Sequence, residues 1–227
     1  MPQPRNQFRI FIVTLIWVVM TVSTARAEDF SKPDELVLKG EAVFKSFMAD
    51  PNLGWFRDNV GSAKGIFIVP QMLRGGFFIG GSGGSGALLA LDRKSGKWSY
   101  PAFYTMGSVS FGMQIGADTS EIILMVMTDK GMEAMLSTEF KLGGDVSLAA
   151  GPVGASAKAQ TVDILAYGRS KGVFVGITID GAVIAPRYEW NNSYYGKDVL
   201  LVDILINQTT SNPQADNLRA VLPRPTM

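Results

Sequence analysis

Seven consecutive residues, Gly80-Gly81-Ser82-Gly83-Gly84-Ser85-Gly86, carry no side chain larger than a hydroxymethyl group. Apolar runs flank them, Phe77-Phe78-Ile79 before and Ala87 to Leu91 after. A helix is excluded there, because each glycine costs roughly 1 kcal/mol against alanine in a helix interior. Set between strand-like runs, the glycines are expected at bulges and bends of a strongly curved sheet, or where strands approach closely. The same residues match G-x-G-x-x-G literally. A dinucleotide site needs the last glycines to open a crossover helix, with a strand and an acid about 20 residues on. Only Ala87 to Leu91 intervene before the turn at Asp92 to Gly96, and no Gly-Lys-Ser/Thr follows. Dinucleotide and P-loop chemistry both fail on that spacing.

The periodicity around this run sets the fold class. Leu36, Gly40, Val43, Phe44 and Phe47 fall on one helical face, with Ser31 as a cap and Asp50-Pro51 as a stop. A short second helix is expected through Trp55, Phe56 and Val60. From Gly65 onward the period drops to two. Ile66 to Val69 is a strand stopped by Pro70, Lys97 to Tyr100 returns after a turn, and Ser108 to Ala117 alternates, with Val109, Phe111, Met113 and Ile115 on one side. Ile122 to Met127 is continuously apolar, as in a strand covered on both faces. Thr128 or Asp129 opens a short helix. Further strands are expected at Phe140–Ala150, Val162–Tyr167 and Val173–Ile179, then helices near Pro186–Tyr195 and Val199–Ile206. The expected class is α+β, a mainly antiparallel, strongly curved or barrel-like β core with helices at the N- and C-terminal ends.

The start of the chain reads as a secretory leader. Arg5 and Arg9 precede an apolar run from Ile10 to Val22, and Ala25-Arg26-Ala27 supplies a small-residue cleavage site. About 13 apolar residues rise only about 20 Å as a helix, short of the roughly 30 Å hydrocarbon core. Residues 1–27 are therefore expected to be a signal peptide, residues 28–207 a single domain and residues 208–227 a flexible tail. Without the leader, Lys+Arg falls from 21 to 18 against 20 Asp+Glu. An exported, periplasmic chain of about −2 is a poor nucleic-acid binder.

The chain has no cysteine and no histidine. A disulfide scaffold is excluded, and so are Ser-His-Asp and Cys-His nucleophile systems, the commonest zinc ligands and the usual proton shuttle near neutral pH. The acids sit mostly beside turns or strand ends, where solvated carboxylates are ordinary. No catalytic residue, metal ligand or cofactor is expected, and the chain is not read as an enzyme.

Cations beside aromatics are what remains. Lys64 and Arg74 are followed by Arg93, Lys94 and Lys97 around one turn, with Phe77, Phe78 and Trp98 nearby. That combination suits a membrane interface, where rings lie at headgroup level and cations meet phosphate. The alternative is that the cations solvate a turn and the rings belong to the core. The first helix, carrying Asp34, Glu35, Glu41 and Asp50 against Lys39 and Lys45, is expected to pack on the sheet rather than on anionic lipid.

Several segments in order resemble the SYLF domain family. They are Asp50-Pro51-Asn52-Leu53-Gly54-Trp55-Phe56-Arg57, Ala63-Lys64-Gly65-Ile66-Phe67-Ile68-Val69-Pro70, the run Gly80–Gly86, Trp98-Ser99-Tyr100-Pro101-Ala102 and Ser110 to Ala117. Val126-Met127-Thr128-Asp129, Tyr194-Tyr195-Gly196-Lys197 and Asp203-Ile204-Leu205 continue it, so the likeness covers about residues 35–207. The resemblance implies lipid binding without catalysis, with Lys64 and then Arg74 as headgroup contacts. Some members bind actin, which a periplasmic compartment argues against. The expected function is a periplasmic phospholipid-binding or membrane-associating domain, with phospholipid or a membrane surface as partner. The alternative is an envelope assembly protein acting through protein contacts.

Overall fold

The computed structural model describes residues 33–76, 79–111, 116–153, 161–170, 173–174 and 179–225. The leader reading, Phe77 and Phe78, and the alternation beyond Phe111 fall at least partly outside these residues. The helix expected from the first apolar stripe is α1, Pro33–Ala49, and its stripe Leu36, Gly40, Val43, Phe44 and Phe47 is buried. Asp50 then caps a 3-10 turn by accepting from the Asn52 N–H, and α2, Gly54–Asn59, follows. The strands come next: β1 Gly65–Gly76, β2 Ile79–Asp92, β3 Lys97–Trp98, β4 Ala102–Phe111 and β5 Gly116–Val126. Helix α3, Asp129–Met135, leads to β6 Phe140–Lys141, β7 Leu148–Ala150, β8 Ile164–Ser170, β9 Val173–Phe174 and β10 Val183–Pro186. Helices α4 Tyr188–Tyr195, α5 Leu201–Leu205 and α6 Asp216–Val221 complete the described chain.

The sheet is mixed and strongly curled into a half-barrel, in the order β6-β10-β4-β2-β1-β5-β8-β7, with β3 added to β2 and β9 to β8. Among the described residues, every pairing of named strands is antiparallel except β7 with β8. The chain is α+β as expected. Pro70 does not stop its strand. It lies at a bulge where β1 slips register against both neighbours, between Ile68 and Gln71 toward β2 and between Val69 and Met72 toward β5. A bulge is where a strand tolerates a residue with no N–H to donate. The expected long strand over 140–150 is also broken, into the two-residue β6 and three-residue β7.

The glycine run is one continuous stretch of β2 rather than a set of bends. A Cβ on Gly86 would lie 2.4 Å from the Phe67 ring, and one on Gly84 2.5 Å from the Gln71 carbonyl oxygen. These glycines let β1 close on β2 just where β1 bulges.

Both faces of the sheet are covered. Ile66, Ile68, Leu89, Phe103, Ile123, Met125, Leu165 and Tyr167 face α1, α2, α4 and α6. Phe67, Leu88, Tyr104, Ile122, Leu124, Val126 and Ile164 face α3, α5 and the segment around Phe140–Val146. The continuous apolar run of β5 thus alternates between two cores, as a doubly covered strand must. Val109 lies beyond this cover and is 71% exposed.

The expected loose tail is a further correction. Residues 213–221 form a 3-10 turn and α6, with Ala215, Leu218 and Leu222 buried in the same core as α1. Asn212 accepts from the Gln214 N–H, and the Gln214 amide donates to the Asp34 carbonyl at 2.9 Å. The compact unit therefore runs past residue 207. Burial of an apolar stripe at 215, 218 and 222 is what orders it.

Candidate functional site

Among the described residues, Arg74 stands apart from the other cations singled out in the sequence: the Lys64 carbonyl accepts from the Leu91 N–H, two residues before Arg93, whose guanidinium reaches the Ser62 carbonyl. Lys64 immediately precedes β1 and Arg74 lies toward its far end, ten residues on. At about 3.3 Å per strand residue the span is at most roughly 33 Å. Lys64 donates to the Asp129 carboxylate at 2.8 Å, and its backbone bonds to Val126 and Leu91 tie the start of β1 to both neighbours. Arg74 pairs in register with Ser82 and Asp118, and the Ser170 hydroxyl donates to both Asp118 carboxylate oxygens at 2.8 and 2.7 Å. Arg93, exposed at the turn, donates to the Ser62 carbonyl. Lys94 and Lys97 are exposed at the turn, and Trp98 is buried beside them.

The structure brings Lys97 and Trp98 into a cleft whose other wall the sequence reading left as tail. Gly96, Lys97 and Trp98 form one side, and Asp216, Arg219, Ala220, Leu222, Pro223 and Arg224 the other, around about 570 Å³. The Trp98 indole N–H donates to the Pro223 carbonyl at 2.7 Å. Arg219 donates twice to the Trp98 carbonyl, at 3.0 and 2.9 Å, and stacks 3.9 Å over the Tyr100 ring. Asp216 accepts from the Tyr100 hydroxyl at 2.8 Å and from Arg219 at 3.2 Å. Partial burial and the bond to Asp216 both raise the Tyr100 pKa, so this phenol stays a donor at neutral pH. One signal for the far wall was present in the sequence: Asn212-Pro213 reads as a helix start, and Ala215, Leu218 and Leu222 follow at helical spacing.

A second cleft, of about 660 Å³, opens between α1 and the bulged strands, with Ser46, Gln71, Glu121 and Arg169 among its lining. Arg169 binds the Glu121 carboxylate and the Ser46 hydroxyl and lies 4.9 Å over the Phe47 ring. Lys39 also lines the cleft, and the Arg169–Glu121 pair with Ser46 fastens α1 to β5 and β8.

The family model for Ysc84, described as Las17-binding protein actin regulator, matches residues 107–224. The chain belongs to the Ysc84 family. The matched span ends at 224, so it includes α6 and the far wall of the basic cleft. The "SH3 domain-containing YSC84-like protein 1" of Homo sapiens is 30% identical over 169 residues, covering 72% of this chain and 49% of its own. "Protein YSC84" of Saccharomyces cerevisiae is 32% identical over 200 residues, covering 81% of this chain and 42% of its own. "LAS seventeen-binding protein 3" of the same yeast is 33% identical over 170 residues, covering 70% and 36%. The chain spans about half the length of the first curated relatives it matches. No solved structure matches the chain.

These names correct the expected partner. They point to proteins, Las17 and the actin machinery, and not to a phospholipid or membrane surface. Setting actin aside on grounds of compartment loses its support within the family as well.

Proposed function

We propose that this chain is a non-catalytic protein-binding domain that works outside the cytosol, in the periplasm, through contact with another protein. The observation that carries the reading is membership of a family described as binding Las17 and regulating actin. The absence of histidine and cysteine supports a role without catalysis. The leader pattern in residues 1–27 supports export. The part-buried pair of Arg169 with Glu121 fastens the fold from within and Lys64 with Asp129 ties it at the surface, which fits a rigid scaffold presenting a surface.

In-cell cross-linking with mass spectrometry, run on separated cytosolic and envelope fractions, tests this. The expected result is a reproducible protein cross-link in the fraction outside the cytosol. Co-sedimentation of the purified chain with actin filaments forms a second arm, and filament binding there would assign the partner to the actin machinery. Recovery of no protein beyond that captured by an unrelated exported domain would overturn the proposal.

A further inference from the structure

The cleft between the β2–β3 turn and α6 is lined by three cations and one acid, Lys97, Arg219 and Arg224 against Asp216. Their roles differ. Arg219 is immobilised by two bonds to the Trp98 carbonyl and by the Tyr100 ring, and Asp216 is engaged by Tyr100 and Arg219. Asp92, opposite Lys97 in the β2–β3 register, is held within the turn by the Lys94 N–H at 2.9 Å. Its hydrogen bonds to Ser95 and to the Lys94 N–H lower its pKa, so it stays a turn-bound carboxylate. Among the described residues, no carboxylate forms an ion pair with Lys97 or Arg224, and both side chains are exposed. Between the cations the lining is apolar, with Trp98, Ala220, Leu222 and Pro223. A volume of about 570 Å³ is that of a small-ligand or short-peptide site.

We infer that this cleft takes an acidic segment of a protein partner, its carboxylates meeting Lys97 and Arg224 and an apolar side chain lying between them. The inference rests on the protein-binding reading above. Charge complementarity selects the occupant: two cations await carboxylates while the third is fixed in the wall. The mature chain is slightly acidic, 18 Lys+Arg against 20 Asp+Glu, so the cleft is a local feature and not part of a broad polyanion-binding surface.

Fluorescence anisotropy of the full-length chain tests it, with a short labelled peptide of glutamate and leucine as probe. The controls are the same peptide with glutamine for glutamate and a single-stranded DNA oligonucleotide of equal charge. The expected result is binding of the glutamate peptide that weakens as salt is raised. Lys97→Glu combined with Arg224→Glu should weaken it by about tenfold or more. Both side chains are exposed, so thermal unfolding of the double variant should match that of the parent. Equal binding of the glutamine peptide, of the DNA or by the double variant would overturn the cleft. In the in-cell cross-linking, a link from Lys97 to an acidic partner segment supports it. Links only from lysines on other faces, such as Lys39 or Lys141, sink the cleft and leave the protein-binding reading standing. No interprotein link at all sinks both.

Discussion

Replacing Leu218 by alanine would test whether the C-terminal segment belongs to the domain. Leu218 is fully buried in α6, and it packs where a Cβ added to Gly40 of α1 would lie 3.9 Å from its methyl group. Truncating a leucine at a site of that burial removes its transfer free energy and leaves a cavity, about 2–5 kcal/mol together. The walls include α1, the core strands and the aromatic residues of α4, which are held from several sides, so collapse around the cavity is restricted and a value near 3 kcal/mol is expected. In a domain of this size each kcal/mol lowers Tm by roughly 2–4 °C, which gives a fall of about 6–12 °C. Urea and thermal unfolding followed by circular dichroism would measure it, with an unchanged urea slope showing that the same unit unfolds. Arg224→Ala, exposed in the same segment, should stay within about 0.5 kcal/mol. A Leu218→Ala variant as stable as the parent would mean that residues 213–222 come away without disturbing the core.

Acid should destabilise the loop joining β5 to α3 through Asp163. This carboxylate accepts from Thr128 Oγ1 at 2.6 Å, from the Ser147 N–H at 2.9 Å and from Ser147 Oγ at 2.7 Å, and these bonds hold its pKa down at about 2. A depressed carboxylate contributes fully above its unfolded pKa of 3.8 and loses that contribution as pH falls through about 2. The contribution is about 1 kcal/mol after solvent screening, and Asp163→Asn should flatten stability against pH across that window when urea midpoints are compared. Gly151→Ala should cost about 1–3 kcal/mol or more, because the new Cβ would lie 2.1 Å from the buried Tyr167 ring, itself packed 5.0 Å from Phe56. Gly144→Ala, whose Cβ would find its nearest neighbour in the flexible Lys141 side chain at 3.6 Å, is the near-neutral control in the same unfolding assay.

Local physics was legible wherever one element decided the outcome. The α1 stripe, the Thr128 cap accepting from the Gly131 N–H, and the left-handed Gly196 ending α4 each follow from a few neighbouring residues. The double cover of β5 was readable from Ile122 to Val126 because an apolar run without alternation leaves no face for water. Pro70 was misread because its effect depends on two partner strands: a proline ends a regular strand, but at a bulge its missing N–H costs nothing. The placement of the cations was hidden for another reason. Lys64 and Arg74 are close in sequence, yet an extended strand separates them by up to roughly 33 Å, and no composition count contains that separation.

The basic cleft shows where sequence reading stops and why. Its near wall was visible as Lys97 and Trp98, cations and an aromatic ring beside a turn. That pattern alone is consistent with a solvated hairpin, because nothing local says what the ring is buried against. Its far wall is joined to it by Trp98 to Pro223, 125 residues apart, and by Arg219 to Trp98, 121 apart. Each of those bonds exists only because α6 is packed onto α1, which in turn is packed onto β1 and β2. The site is thus a consequence of the core: apolar spacing at 215, 218 and 222 brings the tail in, and the tail brings Arg219 and Arg224 to Lys97. A change that frees α6, such as Leu218→Ala, should therefore weaken binding of the acidic peptide at temperatures where the rest of the domain is still folded. Loss of stability without loss of peptide binding would separate the cleft from the packing that builds it.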